Sequence, residues 1–358
     1  MSFRILHRLR STHLRHTLSL CLLLGALPVF GDTLLVANKS EATLSFVDLD
    51  AGEVVATLPT GVGPHEVAVS PGGETAVVAD YGTRTPGHTL TVVDVPHAKV
   101  LRTVDLGEHK RPHGILFLPD GERVVVTVEE ARAVIVVHVG TGEIETKIET
   151  GQDVSHMVAL DGSGKRAYIA NIGSGSMTAV DLATGKNLGT VETGDGAEGI
   201  AVTPDGSQVW VTNRAADTVT LVDPTSLEVA ASLESEGFPI RAEVTPDGKK
   251  ILVTNARAST LTVIDVAQRK VVKRVPIQIA VGSVEDRLFG DRFGDSSVPI
   301  GIEIAPDGKR AYIAHANADK TQVLDLETWE TVATLTAGRE PDGMGYSKAE
   351  VETEVETE

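Results

Sequence analysis

The chain has 358 residues, 41% hydrophobic and 23% charged, with 35 Gly and 16 Pro, which is typical of a folded globular protein and too apolar for a disordered one. Its formal charge of −18 argues against a nucleic-acid partner, because such binding depends on Lys and Arg neutralising phosphates. One cysteine excludes a disulfide framework and any cysteine-based zinc or iron–sulfur site.

Residues 1–31 have the pattern of a secretory signal peptide. Four arginines and no acidic residue precede an apolar run from Leu18 to Phe30, and Gly31 offers a cleavage site. The run is about 13 residues long and is interrupted by Pro28, so it is too short to span a bilayer. We therefore expect a periplasmic or secreted protein, cleaved near Gly31, whose mature chain has no cysteine, no transmembrane segment and 28 basic against 50 acidic residues.

From residue 33 onward the sequence repeats seven times. One segment recurs as TLLVAN (33–38), RAYIAN (166–171), QVWVTN (208–213), KILVTN (250–255) and RAYIAH (310–315), with weaker copies at 75–80 and 123–128. The segment after it ends near an Asp, and these positions are 42 to 46 residues apart with one exception. Short alternating segments between Gly, Pro, Asn and Asp turns predict strands, and this period is typical of four-stranded propeller blades.

The one irregular spacing marks an insertion between the sixth and seventh copies. Asp265 and Asp325 are 60 residues apart, so residues 277–298 form an extra loop of about 18 residues. Long loops in compact domains are usually functional or disordered. Phe289 and Phe293, with the glycines around them, favour a lid over the channel mouth, and a loop that docks a partner is the alternative.

The two ends of the repeat predict how the ring closes. The chain enters at the strand ending in Asn38, and residues 341–347 align with the inner-strand segment 197–203. The sequence therefore predicts an all-β fold, a single seven-bladed β-propeller of four-stranded antiparallel blades over residues 32–347, closed by a C-terminal inner strand that joins three N-terminal strands. Residues 348–358 are rich in Val, Glu and Thr and predict a disordered acidic tail.

Copies such as RAYIAN, SMTAVDLATGKNLGTVETG and GIAVTPDG resemble the YVTN family of seven-bladed β-propellers over about residues 33–347. The long spacer before residues 299–301 is similar to that of an exported subgroup associated with PQQ-dependent oxidation gene clusters. The resemblance implies an exported or surface protein of a family in which many members have no demonstrated catalysis, and it specifies the fold better than the function.

Equivalent positions of the repeat form rings around the channel, so candidate sites can be identified by aligning the copies. The second position of each inner strand is, in blade order, Asp342, His65, His113, His156, Glu198, Ile240 and Ile300. Imidazole and carboxylate are common ligands of Zn²⁺, Cu²⁺ and Fe²⁺, so His65, His113, His156 and Glu198 are candidate ligands of a divalent metal. The alternative is a solvated rim or an anion-binding funnel in which histidines recur because repeats duplicate.

Two further sets of residues lie near this mouth. Arg241 and Arg339 are expected either to orient a ligand carboxylate or to form surface ion pairs, and Arg241 and Asp342 are candidate ligand-binding residues of the mouth. The ring at the end of the next strand contains Asn38, Asp80, Val128, Asn171, Asn213, Asn255 and His315. Asn and Asp at strand ends accept backbone hydrogen bonds, so we expect this ring to be structural.

The sequence thus favours an exported binding or accessory protein whose mouth takes a small-molecule ligand or a metal, or meets another exported protein. The first alternative is a metal-assisted or lactonase- or lyase-like enzyme that uses the same His and Glu residues. The second is a protein scaffold without a small-molecule site. No nucleophile motif, zinc-protease motif, phosphate-binding loop or dinucleotide glycine pattern occurs in the expected mature chain.

Overall fold

A computed structural model describes residues 32–351. Within this range the chain forms 28 strands in seven antiparallel sheets of four, and a short 3₁₀ turn at Glu129–Ala131. This confirms the predicted all-β, seven-bladed propeller. No helix among residues 32–351 is both long enough and apolar enough to cross a bilayer.

The strands follow one another from the inner to the outer edge of each blade. Blade 1 contains β1 (Thr33–Asn38), β2 (Thr43–Asp48), β3 (Glu53–Pro59) and the last strand, β28 (Pro341–Ser347); blade 2 contains β4 (Pro64–Val69), β5 (Thr75–Gly82), β6 (Pro86–Asp94) and β7 (Lys99–Asp105); blade 3 contains β8 (Pro112–Phe117), β9 (Arg123–Val128), β10 (Ala133–His138) and β11 (Ile144–Glu149); blade 4 contains β12 (Ser155–Leu160), β13 (Arg166–Asn171), β14 (Ser176–Asp181) and β15 (Lys186–Glu192). Blade 5 contains β16 (Ala197–Val202), β17 (Val209–Asn213), β18 (Thr218–Asp223) and β19 (Glu228–Glu234); blade 6 contains β20 (Pro239–Val244), β21 (Lys250–Asn255), β22 (Thr260–Asp265) and β23 (Lys270–Pro276); blade 7 contains β24 (Pro299–Ile304), β25 (Arg310–His315), β26 (Lys320–Asp325) and β27 (Thr331–Leu335).

The ring closes as the sequence predicts. Blade 1 has the strand order β28-β1-β2-β3, with Thr33 paired to Ser347 and Leu35 to Gly345. Strand β28 also contacts the inner strands β4 and β24 of the two neighbouring blades. The closure gives the N-terminal strand β1 a hydrogen-bonded partner on both sides, β28 and β2.

Burial explains why the middle strands are apolar on both faces and the outer strands are not. Strand β1 is buried at all six positions, whereas the outer strand β19 is mostly exposed. Seven hydrophobic clusters each join two neighbouring blades, and an eighth lies beneath the inserted loop. Each blade face packs on another blade, so a middle strand has no face left for water.

The last described residues, 348–351, fall within the segment predicted as a disordered tail. Ala349 and Val351 pack in the cluster between blades 1 and 2, and Val351 is buried. Two residues of the segment predicted as a disordered tail, Ala349 and Val351, are therefore packed against the propeller, whereas Lys348 and Glu350 are exposed. The rest of that segment, 352–358, and the predicted signal peptide, 1–31, lie outside the described residues.

Candidate functional site

Two backbone features direct the second residue of every inner strand toward the channel mouth. The residue before each inner strand is left-handed, with φ between 55° and 74°: these residues are Gly63, Arg111, Val154, Gly196, Phe238, Val298 and Glu340. The register of each inner strand then shifts at its second and third residues, which form a β-bulge. A bulge places two residues opposite one and so re-aims a side chain that would otherwise follow the pleat.

The third residues of the inner strands form a second ring that alternates between glycine and large side chains. Glycine stands there in blades 1, 3, 5 and 7, and Glu66, Met157 and Arg241 in blades 2, 4 and 6. A Cβ on Gly343 would lie 2.3 Å from the carbonyl oxygen of His65. Glycine therefore allows neighbouring inner strands to approach closely, while the large residues fill the channel.

The three predicted histidines of the mouth lie together in successive blades. The ring centroids of His65 and His113 are 3.9 Å apart, and those of His113 and His156 are 3.4 Å apart. The Nε2 atoms of His65 and His113 are separated by 3.3 Å. His113 is fully buried and the other two are 6–7% exposed, so this part of the ring is a buried cluster and not a solvated rim.

Two carboxylates hold His156 from opposite sides. Its Nδ1 is 2.6 Å from Oε1 of Glu129, and its Nε2 is 3.4 Å from Oε1 of Glu198. Glu198 is buried and also accepts a hydrogen bond from Arg214 at 2.6 Å. The predicted Glu198 thus belongs to the cluster, and Glu129, which the alignment of copies does not identify, is its counterpart.

Glu129 belongs to a slot that the sequence reasoning missed, one residue after the strand-end ring. Four of these residues contact the cluster: Lys39, Tyr81, Glu129 and Arg214. The Tyr81 hydroxyl donates to Oε2 of Glu129 at 2.7 Å. The sequence does contain a signal for this slot: charged residues or Tyr occupy it in four copies and apolar residues in the other three.

Arg241 forms the cationic side of the cluster and is no surface residue. Its guanidinium is hydrogen-bonded to Glu66 and lies 3.7 Å from Glu198 and 3.9 Å from Asp342. Asp342, which is fully buried, also accepts a hydrogen bond from Lys39 at 3.0 Å. The predicted Arg241 and Asp342 therefore lie in the same buried network as the histidines.

The histidines differ in their protonation. Burial lowers the pKa of His113 well below its ordinary value, and the neighbouring His156 and His65 add to this effect. Burial also lowers the pKa of His65, although Asp342 opposes it. In His156 burial acts in the same direction, but the hydrogen bonds to Glu129 and Glu198 outweigh it and raise the pKa.

The carboxylates of the cluster stay ionised in spite of their burial. Burial raises the pKa of Glu198, but His156 and Arg214 outweigh it and bring that pKa to about 2. Burial also raises the pKa of Asp342, but His65, Lys39 and Arg241 outweigh it, so this pKa lies below its ordinary value. The site therefore combines carboxylates whose ionised form is favoured with two imidazoles whose neutral form is favoured and a third, His156, whose protonated form is favoured.

The cluster has the ligand types and spacing of a metal site. The groups His65/Glu66/His113 and His113/Glu129/His156 each place three ligand atoms within 4.8 Å of one another. Nδ1 of His113 has no hydrogen-bond partner among the described residues, whereas Nδ1 of His65 lies 3.3 Å from Asp342 and Nε2 of His156 lies 3.4 Å from Glu198. Buried polar atoms are normally paired, so the unpaired nitrogen of His113, whose ring lies between the other two, fits a ligand at this point.

The strand-end ring is structural, as expected. The side-chain amide of Asn213 donates to Thr218 at 3.0 Å and to Thr220 at 2.9 Å, within its own blade. His315 occupies the same slot and bonds to Ser297 and Gln322. It therefore takes no part in the histidine cluster.

The two phenylalanines predicted as a lid pack against the mouth-ring residues of blades 6 and 7. Phe293 is buried in the apolar cluster that contains Phe238, Ile240 and Ile300, and Phe289 packs at the edge of that cluster. They anchor the loop on the apolar side of the mouth ring, in blades 6 and 7. Leu288 is the residue of this loop that reaches the blade 1 side of the mouth, where its N–H donates to Oε1 of Glu340 at 2.5 Å.

Comparison with solved structures supports the fold. A structure of Kuenenia stuttgartiensis hydrazine synthase is similar with a TM-score of 0.66 and 22% identity, over 78% of this chain and 88% of that chain. A functionally unknown protein from Desulfotomaculum acetoxidans DSM 771 is similar with a TM-score of 0.71 and 16% identity, over 90% of this chain and 100% of that chain. At these identities the likeness shows the fold alone.

Comparison of sequences identifies the family. No curated protein matches the chain. The model of the YNCE-like beta-propeller family matches residues 25–123 and 121–289, which together are more than half of the sequence. The expected resemblance to propellers of this repeat type is confirmed, and the chain belongs to the YNCE-like β-propeller family.

Proposed function

We propose that this propeller is a binding protein that holds one divalent transition-metal ion at the channel mouth, with His65, His113 and His156 as ligands. The observation that carries the proposal is that three buried imidazoles from successive blades lie side by side, and that His65/Glu66/His113 and His113/Glu129/His156 each place three ligand atoms within 4.8 Å of one another. Zn²⁺, Cu²⁺ and Fe²⁺ accept neutral imidazole as a ligand.

The distances between the side chains support this reading. Two nitrogen ligands at about 2.0–2.1 Å from a tetrahedral ion lie about 3.3 Å from each other. The Nε2 atoms of His65 and His113 have this separation, 3.3 Å. Glu129 at Nδ1 of His156 resembles the carboxylate–histidine pairs that orient metal ligands, and Nε2 of His156 faces Glu198, a further candidate ligand.

Lys39 is the group that the ion would have to move. Its Nζ lies 2.5 Å from Nε2 of His65 and 3.0 Å from Asp342. The ammonium thus places a positive charge beside the two acceptors that a cation would use. We infer that Lys39 neutralises this part of the cluster when no metal is bound, and that metal binding turns its side chain outward.

Metal content and affinity test the proposal. Protein purified without a histidine tag is expected to retain about one equivalent of metal, and Zn²⁺ titrated against a chromophoric chelator should show one tight site per chain. The double variant His65→Ala/His113→Ala should bind Zn²⁺ at least 100-fold more weakly, because it loses two ligands. The matched control is His88→Ala, which removes an exposed histidine from blade 2.

Thermal unfolding of the variants separates lost ligands from lost folding. A double variant that unfolds cooperatively and retains as much Zn²⁺ as the wild type would overturn the metal site. If the double variant fails to fold, Lys39→Met supplies the second measurement. That variant removes the competing ammonium, so its Zn²⁺ affinity should rise, and an unchanged or lower affinity would contradict the proposal.

An enzyme that uses the same cluster is the second candidate, and one contact favours it. His156 lies between Glu129 at Nδ1 and Glu198 at Nε2, so a proton can pass between the imidazole and a carboxylate, as acid–base catalysis requires. A panel of lactones assayed at saturating Zn²⁺ tests this reading. Turnover that falls at least 100-fold in Glu129→Gln, with metal content unchanged, would support catalysis; no turnover above the His113→Ala variant would exclude it for these substrates.

We also propose that the protein works outside the cytoplasm. The support is the basic and then apolar pattern of residues 1–31, directly before the first strand of the propeller at Thr33. Cell fractionation followed by N-terminal sequencing should find a mature form that begins near Asp32. A full-length form in the cytoplasm would contradict the proposal.

A further inference from the structure

A cleft of about 660 Å³ lies on the blade 1 and blade 2 side of the mouth, and we call it the outer cleft. It is formed by the segment after β1, the segment before β4, the connection from β5 to β6 and the inserted loop. The residues that matter for its chemistry are Lys39, Val62, Tyr81, Arg84 and Leu288. Its volume lies within the usual range for small-molecule sites.

Two apolar side chains in the cleft are exposed to solvent. Val62 is 60% exposed and Leu288 is 53% exposed, and they come from segments far apart in sequence. The backbone of Leu288 is held by Glu340, and the preceding Arg287 forms two hydrogen bonds of 2.6 Å with Asp319. The loop is therefore tied down in a form that exposes an apolar side chain, which folding by itself does not favour.

The charge of the outer cleft is opposite to that of the protein. None of its lining residues, all of which the structure describes, is acidic, although the chain has 50 acidic and 32 basic residues. Lys39 and Arg84 lie within it, and Lys39 is also paired with Asp342 at 3.0 Å. The guanidinium of Arg111 lies 4.7 Å from the centroid of the Tyr81 ring and is paired with Glu130 at 3.7 Å, so Arg84 is the main positive charge of the cleft.

The floor of the outer cleft is continuous with the histidine cluster. Lys39 lines the cleft and bonds to His65 and Asp342. Tyr81 also lines the cleft, and its ring centroid is 5.1 Å from that of His65 and 5.4 Å from that of His113. A ligand in the cleft would therefore have its head group directly above the mouth.

We propose that the outer cleft binds a small carboxylic acid with a short apolar body. The carboxylate pairs with Arg84, beside Lys39, which already pairs with Asp342, and the apolar body packs between Val62 and Leu288. Charge complementarity selects an anion, and the two exposed apolar walls select against a purely polar one. Binding in the cleft does not depend on a metal; only direct contact between the carboxylate and an ion at the mouth rests on the function proposed above.

Calorimetric titration of the full mature chain with three probes tests this inference. Hexanoate carries both features, acetate has the charge without the body, and hexylammonium has the body with the opposite charge. Hexanoate should bind at least tenfold more tightly than acetate, and hexylammonium should show no saturable binding. Equal binding of hexanoate and hexylammonium, or no binding of hexanoate, would overturn the proposal.

Variants locate the binding. Leu288→Ser and Arg84→Gln should each weaken hexanoate binding at least fivefold. The matched control for the first is Val332→Ser, which changes an equally exposed residue, at 54%, on the outer strand β27. The control for the second is Arg274→Gln, on the outer strand β23. If the controls weaken binding as much as the cleft variants do, the cleft is not the site.

The same titrations in chelator-treated and in Zn²⁺-loaded protein separate the two proposals. If the wild-type chain retains no Zn²⁺ after loading but still binds hexanoate, the metal site is refuted and the cleft is supported. Tight Zn²⁺ binding without any preference for hexanoate would refute the cleft alone.

Discussion

Replacement of Arg241 by Met should strongly destabilise the propeller at neutral pH. Arg241 is 5% exposed and is the cation that pairs with Glu66, whereas Glu198 also has Arg214 and Asp342 also has Lys39. The main penalty is therefore one buried carboxylate without its partner. Removing one partner of a buried ion pair costs about 3–5 kcal/mol, and we expect a loss of this size in the free energy of unfolding.

The loss should depend on pH. Burial raises the pKa of Glu66, but Arg241 outweighs it, so in the wild type this pKa lies below the ordinary value of 4.5. The wild type therefore gains stability from Glu66 above that pH and loses it on acidification. In Arg241→Met burial dominates, the Glu66 pKa rises above 4.5, and the folded variant takes up a proton as the pH falls. The difference between the two proteins should be largest near pH 8 and shrink toward pH 4.

Urea denaturation at pH 8, 6 and 4.5, followed by circular dichroism, measures this effect. Arg274→Met is the control for loss of an arginine on the surface. In a cycle with Glu66→Gln, Arg241→Met should cost at least about 1.5 kcal/mol less than in the wild type, because the unpaired carboxylate is gone. A loss below about 1 kcal/mol at pH 8, or a loss that does not shrink at pH 4.5, would refute the reasoning.

Three further predictions concern the channel, the core and the loop. Burial in the channel raises the pKa of Glu243 to about 7, and burial together with Glu243 raises that of Glu303, so the folded state binds protons more tightly than the unfolded state and stability falls as the pH rises from about 5 to 8. Glu243→Gln should flatten this fall in urea denaturation by up to about 3 kcal/mol, and an unchanged slope would exclude the assignment. Trp210 is fully buried between blades 5 and 6, so Trp210→Ala should lower the free energy of unfolding by about 3–5 kcal/mol, and a loss under 1 kcal/mol would show that the site refills. Arg287→Ala removes both hydrogen bonds to Asp319, so limited proteolysis should cut within 277–298 several times faster than in the wild type, whereas equal rates would mean that Phe293 alone holds the loop.

The position of the ring residues could be predicted because a propeller is cyclic. Once seven copies align, the second residue of each inner strand must recur at the same height around the channel, and His65, His113 and His156 do so in successive blades. Arg241, one residue further along its strand, joins the same network. Period and strand register therefore determine which side chains meet.

The same alignment does not identify Glu129 or Tyr81, because each lies one residue after the strand-end ring. Asn213 and its equivalents hold their own blades together, while the residue after each of them turns toward the mouth. This turn depends on how a strand end packs against the next blade. An alignment of copies contains no information on that packing, because the contact joins different copies.

The inserted loop is a second feature whose packing an alignment of copies cannot predict. Its length and its phenylalanines predicted a lid, but Phe293 faces Phe238 and Ile240, and Leu288 reaches the mouth instead. An insertion that occurs in one copy has no internal repeat from which its orientation can be deduced. Its position depends on apolar surface that other blades leave uncovered.

The sequence by itself determined the seven blades, the closure through β28 and the three histidines of the mouth, because each follows from a repeat of fixed period. Only the tertiary structure decided that the mouth is buried, that Glu129, Lys39 and Tyr81 belong to it, and that a cationic cleft lies above it. Those properties arise where two blades or an inserted loop meet. Burial and charge at such contacts are set by neighbours distant in sequence, which no single repeat contains.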